Sequence, residues 1–182
     1  MKNKPKWELW LKDKKICKKW LNYYMTKNIL RHETKSPEIF MNKALHNLSF
    51  ANWLMDKHKD EIPKIFGLEE TFYDWVIVAF YYSIYHAALA LISKHKLSSK
   101  SHFATLCAVI CFYYHESRKL TKNDIKFLGC CLEKEDIEAF VTTKSLRERA
   151  SYGVSRQFEL SLAEEAKKNA EVFLNKAKII IT

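Results

Sequence analysis

Phe80-Tyr-Tyr-Ser-Ile-Tyr-His-Ala-Ala-Leu-Ala-Leu-Ile-Ser-Lys-His-Lys-Leu-Ser-Ser-Lys-Ser-His102 is the stretch on which the fold turns. Aromatic and small apolar residues run through its first half, and the pattern extends back to about Glu69 and on to about His95. They occupy almost every side of a helix, so this segment belongs among other helices rather than on a surface. Ser98 to Ser101 then breaks the pattern as a turn, and a further helix covers about 101 to 116. The part from Trp75 to Ile92 approaches the length of a short membrane span. Tyr81, Tyr82, Ser83, Tyr85 and His86 interrupt it, so a buried central helix is expected, with no membrane association.

The flanking sequence extends the helical reading in both directions. Ser36-Pro37 reads as a helix start, because Ser caps and Pro is tolerated at the first helical position. That helix runs to about His58, with Phe40, Ala44, Leu48, Ala51 and Met55 on one stripe, and Pro63 and Gly67 break the chain after it. Thr121 with Asp124 reads as a cap with an acidic first turn, opening a helix to about Lys134. Another helix is expected over about 135 to 152, stopped by Gly153. Ser161-Leu-Ala-Glu164 reads as a capping box that opens the last helix, with Ala166, Ala170, Phe173, Leu174 and Ala177 facing inward. No strand pattern is visible. The expected fold is all-α: an up-and-down bundle of four to five helices with additional N-terminal helices.

Composition supports long helices and a real core. The chain has 182 residues, 48% of them hydrophobic, with three Gly and three Pro. The net charge of +10 is unevenly spread. Residues 1 to 35 hold eleven Lys or Arg against three Asp or Glu, and the remaining 147 residues hold twenty against eighteen. Two parts follow: a basic, Trp-containing N-terminal helical arm (1–35) and a nearly neutral bundle (36–182). Trp7, Trp10, Cys17, Leu21 and Tyr24 recur at helical intervals in the arm, and residues 26 to 35 read as a polar link. The arm suits a polyanion, or is a solvated lysine-rich helix. Its tryptophans stack on bases or belong to the core. Five cysteines, an odd number, and a start lacking an apolar stretch point to a reduced, cytoplasmic protein.

About 45 residues after the Lys100-Ser101-His102 turn comes Arg147-Glu-Arg149-Ala-Ser-Tyr152. Together with Tyr82-x-x-Tyr85-His86-Ala-Ala, this order resembles the HEPN superfamily (higher eukaryotes and prokaryotes nucleotide-binding domain). The match is closest to its small, stand-alone prokaryotic and archaeal proteins, over roughly residues 37 to 180. The resemblance implies a four- to five-helix bundle, a homodimer, nucleotide or RNA as ligand, and a separate nucleotidyltransferase as partner in a toxin–antitoxin-like system. Active members carry Arg, four to six residues, then His, for metal-independent RNA cleavage. Arg147 matches the Arg, but Tyr152 stands where the His is expected, and no His follows His115. Tyrosine ordinarily titrates near 10 and is a poor base at neutral pH. Arg147 and Tyr152 therefore match the catalytic pair only in part, and with Arg149 they read as structural, as ligand-binding, or as a degenerate nuclease motif.

Other candidates stand on the residues themselves. Tyr82 and His86 lie one helical turn apart and either line a cleft or belong to the core. Lys100, Ser101 and His102 open a helix, where free amides and the dipole favour a phosphate, or where Ser101 simply caps. Cys107, Cys111 and His115 recur at i, i+4 and i+8. The first and third are about 12 Å apart along the axis, too far to share one ion, so buried thiols are expected in place of a metal site. No Gly-rich phosphate loop, no Gly-x-Ser-x-Gly and no His-Glu-x-x-His occurs, and no cofactor is expected. The reading that results is a HEPN-fold nucleotide- or RNA-binding module. The alternative is an endoribonuclease of toxin type.

Overall fold

The computed structural model describes residues 6–32, 34–68, 70–133 and 156–182. These residues form a mostly helical, all-α fold with one two-stranded ribbon. In chain order they are α1 (Trp7–Lys12), α2 (Lys14–Thr26), β1 (Leu30–His32), α3 (Pro37–Lys57), α4 (Glu61–Phe66), α5 (Tyr73–Ser93) and β2 (Leu97–Ser99). They continue with α6 (His102–Val109), whose helix runs on as a π-helical segment (Ile110–Glu116), then α7 (Lys122–Glu133) and α8 (Arg156–Ile181). The chain divides into two compact units, and α3, α5 and α8 supply residues to both.

The first unit comprises Met1–Met41, Ala87–Glu135 and Ala177–Thr182. Its core is the meeting of α1 and α2 with α6 and its π extension. Trp10 is fully buried, with its ring against Trp20, Tyr24 and Phe103 at centroid distances of 6.0, 6.3 and 6.5 Å. Trp7 is buried beside Gly129 of α7, so two of the three N-terminal tryptophans are core. The basic segment is not one continuous helix. Asp13, in extended conformation, separates α1 from α2 and caps α2 by accepting from the Lys15 and Ile16 amides. The end of α2 is a Schellman turn. Ile29 N–H donates to the Tyr24 carbonyl and Asn28 N–H to that of Met25, with Asn28 at φ 54°. That turn starts β1, which pairs antiparallel with β2, Leu30 opposite Ser99. Residues 26 to 35 are therefore more than the polar link their composition suggests. Leu30 is 1% exposed, and one apolar anchor in a three-residue strand is too short a pattern to alternate visibly.

The second unit comprises Asn42–His86 and Asp136–Lys176. Its buried apolar residues include Ala44 and Ala51 of α3, Val76, Phe80 and Ile84 of α5, and Ala163, Ala170, Phe173 and Leu174 of α8. The small alanines of α3 let α5 approach closely enough for Ser83 Oγ to donate to the Ala44 carbonyl at 2.8 Å. His58, buried just past α3, ties that corner together. Its Nδ1 lies 2.8 Å from the Leu54 carbonyl, and its Nε2 accepts from the Phe72 amide at 2.9 Å. A ring that donates at Nδ1 and accepts at Nε2 is a neutral imidazole with a fixed tautomer. It stacks on Tyr73 at 4.1 Å.

Two boundaries differ from expectation. Ser161 lies inside α8, which begins at Arg156, so the Ser161–Glu164 pattern does not open that helix. Arg156-Gln-Phe-Glu-Leu160 holds good helix formers and no breaker, so nothing stops the helix extending backward. Helix 101–116 changes geometry at Ile110, where i→i+5 bonding takes over, as in Ser117 N–H to the Phe112 carbonyl at 2.9 Å. Thr121 and Asp124 cap each other as expected. The helix expected over 135–152 lies outside the described residues. Helix α5 is long and apolar enough to cross a membrane, and 83% of its most apolar window is buried inside the protein.

Candidate functional site

In the second unit, α3 and α5 bring a polar cluster together beside the hydrogen bond from Ser83 to Ala44. His86, one turn on from Tyr82, places Nδ1 2.7 Å from the Tyr82 carbonyl and 3.2 Å from the Asn47 side-chain amide. A carbonyl only accepts, so the shorter approach makes Nδ1 the donor. The Asn47 side-chain nitrogen lies beside the same ring nitrogen, and with Nδ1 protonated the acceptor lone pair of the ring is on Nε2. Burial pushes the His86 pKa below the ordinary imidazole value, the Tyr82 carbonyl opposes this, and the nearby Lys43 ammonium adds to the lowering. His86 is therefore neutral at pH 7. A neutral ring of this kind can accept a hydrogen bond from an N–H or O–H but offers no cation to a phosphate. The Tyr82 and Tyr85 rings flank it at 6.3 and 5.8 Å.

Lys100, Ser101 and His102 belong to the first unit. Ser101 is the cap of α6: its Oγ accepts from the Ala104 amide at 3.3 Å, and its carbonyl accepts from Thr105 Oγ1 at 3.0 Å. Its own amide donates to Ser99 Oγ, which in turn donates to the Ile29 carbonyl. The hydroxyl at this turn is thus committed to structure. Lys100 is exposed, and His102 is half-buried. Arg147, Arg149 and Tyr152 lie outside the described residues.

Three features of these sites are not legible in the sequence. Lys43 and Asn47 join His86 from a different helix, and only their i, i+4 placement beside the apolar Ala44–Leu48–Ala51 stripe hints at it. Cys17 of α2 meets Cys107, each thiol 3.6 Å from the other residue's carbonyl. Hydrogen bonding within the Cys17–Cys107–Cys111 group and burial push the thiols of Cys17 and Cys111 far up, so they stay protonated. His115 leaves that face and places Nε2 2.7 Å from the Trp10 carbonyl. Among the described residues no group of three or more His, Cys, Asp or Glu is placed to hold a metal ion. The second unit also holds a cavity of about 640 Å³, lined in part by Met55, Tyr73 and Leu160. Lys59, Lys167 and Lys168 at this cavity face Asp56, Glu164 and Glu171, which leaves it no net charge to select an anion.

Over 98 residues the chain is 29% identical to a UPF0332 protein of Archaeoglobus fulgidus, a stretch that covers 54% of this chain and 67% of that protein. No family profile matches the chain.

Proposed function

We propose that this chain is a nucleotide- or RNA-binding module of the HEPN type, cytoplasmic and homodimeric, that binds its ligand without cutting it. The observation that carries this reading is the His86 cluster. The Tyr82-x-x-Tyr85-His86 segment behind the HEPN resemblance holds a neutral imidazole and an amide side by side, with a lysine close by. Such a set recognises base edges or a ribose hydroxyl through hydrogen bonds and leaves phosphate to the lysine. The excess of lysines in residues 1–35 supplies sequence-independent attraction to the backbone. The distant likeness to the UPF0332 protein agrees with a small stand-alone member. A separate nucleotidyltransferase fits as the partner, in a toxin–antitoxin-like system.

The test is the affinity of the full chain for single-stranded RNA, measured by fluorescence anisotropy at two salt concentrations. Asn47→Ala and His86→Gln should each weaken binding at unchanged salt slope, because neither carries charge. Unchanged affinity in both would remove this cluster from the ligand site.

A second reading, a metal-independent endoribonuclease using Arg147 and Tyr152, draws support from one observation. The lone pair on His86 Nε2 is a proton acceptor of the kind that a tyrosine at neutral pH does not provide. EDTA-resistant cleavage that Arg147→Ala abolishes would favour it.

A further inference from the structure

The outer side of α3 carries a pattern that core packing does not explain. Lys43, His46, Phe50, Trp53 and Lys57 follow at alternating steps of three and four, and so line one edge of the helix. All belong to the second unit. Phe50 is 46% exposed and Trp53 55%, although rings of this size are usually mostly buried. The two rings stack on each other, centroids 6.1 Å apart and planes 26° from parallel. The Lys57 ammonium lies 5.7 Å from the Trp53 ring centre and also meets the Glu61 carboxylate. Every ionisable residue on the stripe is basic. The neighbouring acid, Asp56, is engaged by Lys59 at 3.0 Å.

We infer that this stripe is a stacking platform for single-stranded RNA, with bases laid on Trp53 and Phe50 and phosphates met by Lys43 and His46. The inference rests on the RNA-binding reading and gives it a track. Lys43 acts on His86 of α5, and Asn47, one turn on from Lys43 along α3, meets the same ring, so the basic end of the stripe adjoins the Asn47–His86 cluster. A pair of stacked, half-exposed rings offers a further π-face to any base, which makes such a surface tolerant of sequence. A duplex hides its base faces and gains nothing from the rings. A second copy of the chain is the poorer occupant. Antiparallel pairing centred between Phe50 and Trp53 sets Lys57 against His46, and parallel pairing sets each lysine against itself.

The test uses the full chain, a labelled twelve-nucleotide uridine-rich RNA and the same RNA annealed to its complement. Single strands should bind at least about tenfold more tightly than the duplex. Trp53→Ala and Phe50→Ala should each lower single-strand affinity by about fivefold or more, with circular dichroism and melting temperature nearly unchanged. Trp53→Phe, which keeps a ring, should retain most of the affinity and guards against misfolding of the alanine variant. Wild-type binding that survives both alanine substitutions would overturn the platform and leave the RNA-binding reading standing. No binding by the wild type would overturn both. Substitutions that reduce the oligomer to monomer without touching RNA affinity would assign the stripe to a second copy. Loss of binding to anionic lipid vesicles alone would assign it to a membrane surface.

Discussion

At the scale of single residues, Gly129 shows why local propensity does not settle a position. Alanine in a helix interior is worth about 1 kcal/mol over glycine, so Gly129→Ala in α7 ought to stabilise. A Cβ there would sit 2.6 Å from the Trp7 indole, a rigid ring that is itself buried. Overpacking of this kind costs about 1–3 kcal/mol, so the clash wins. Gly129→Ala should lower the denaturation midpoint, and adding Trp7→Leu should recover part of the loss, which is measurable by urea unfolding of the single and double variants. His86 gives a pH signature. Its folded pKa lies below the ordinary value near 6.5, so as pH falls the unfolded chain takes up the proton first. The stability it contributes is complete above that ordinary value and is lost as pH drops toward the folded pKa. Thermal melts should be flat above pH 7 and fall below 6.5, and His86→Gln should reduce that fall. An equally steep acid limb in the variant would show that His86 is not the group responsible.

Among the helices and strands, the sequence is readable where a pattern is long or a cap is explicit. The all-round apolarity of residues 75–92 marks α5, Ser36-Pro37 marks the start of α3, and Thr121 with Asp124 marks α7. It is unreadable where geometry depends on what packs nearby. No residue at Ile110 announces the change to π bonding, and β1 and β2 are three residues each, too short to show alternation. For the site, Tyr82 and His86 are visible as one turn of one helix, whereas Asn47 is 39 residues away in sequence and reaches His86 only through helix pairing. The N-terminal helices change what their removal would mean. Trp10 and Cys17 are fully buried, so cutting away residues 1–35 removes core as well as charge. Trp10→Ala should cost about 3–5 kcal/mol of stability. The electrostatic role is better isolated by replacing the exposed Lys14, Lys15 and Lys19 with Gln. RNA affinity should then drop, and its salt slope should flatten by up to about one unit for each phosphate no longer neutralised, at nearly unchanged melting temperature. An unchanged slope would assign these lysines to solubility.

For the molecule as a whole, charge and chemistry are unevenly distributed. The excess positive charge sits in the first 35 residues, the exposed α3 rings and the neutral His86 cluster lie in the second unit, and the Lys100 turn lies in the first. The proposed homodimer should appear as a single dimeric species by sedimentation at micromolar concentration, and a monomer there would count against it. The proposed activity is binding without cleavage. Its most direct test is a native gel of labelled single-stranded RNA incubated with the full chain in EDTA, followed by a denaturing gel of the same sample. The expected result is RNA that is retarded on the first gel and full-length on the second. RNA that migrates freely at micromolar protein, or that emerges shortened unless Arg147 is replaced by Ala, would contradict it.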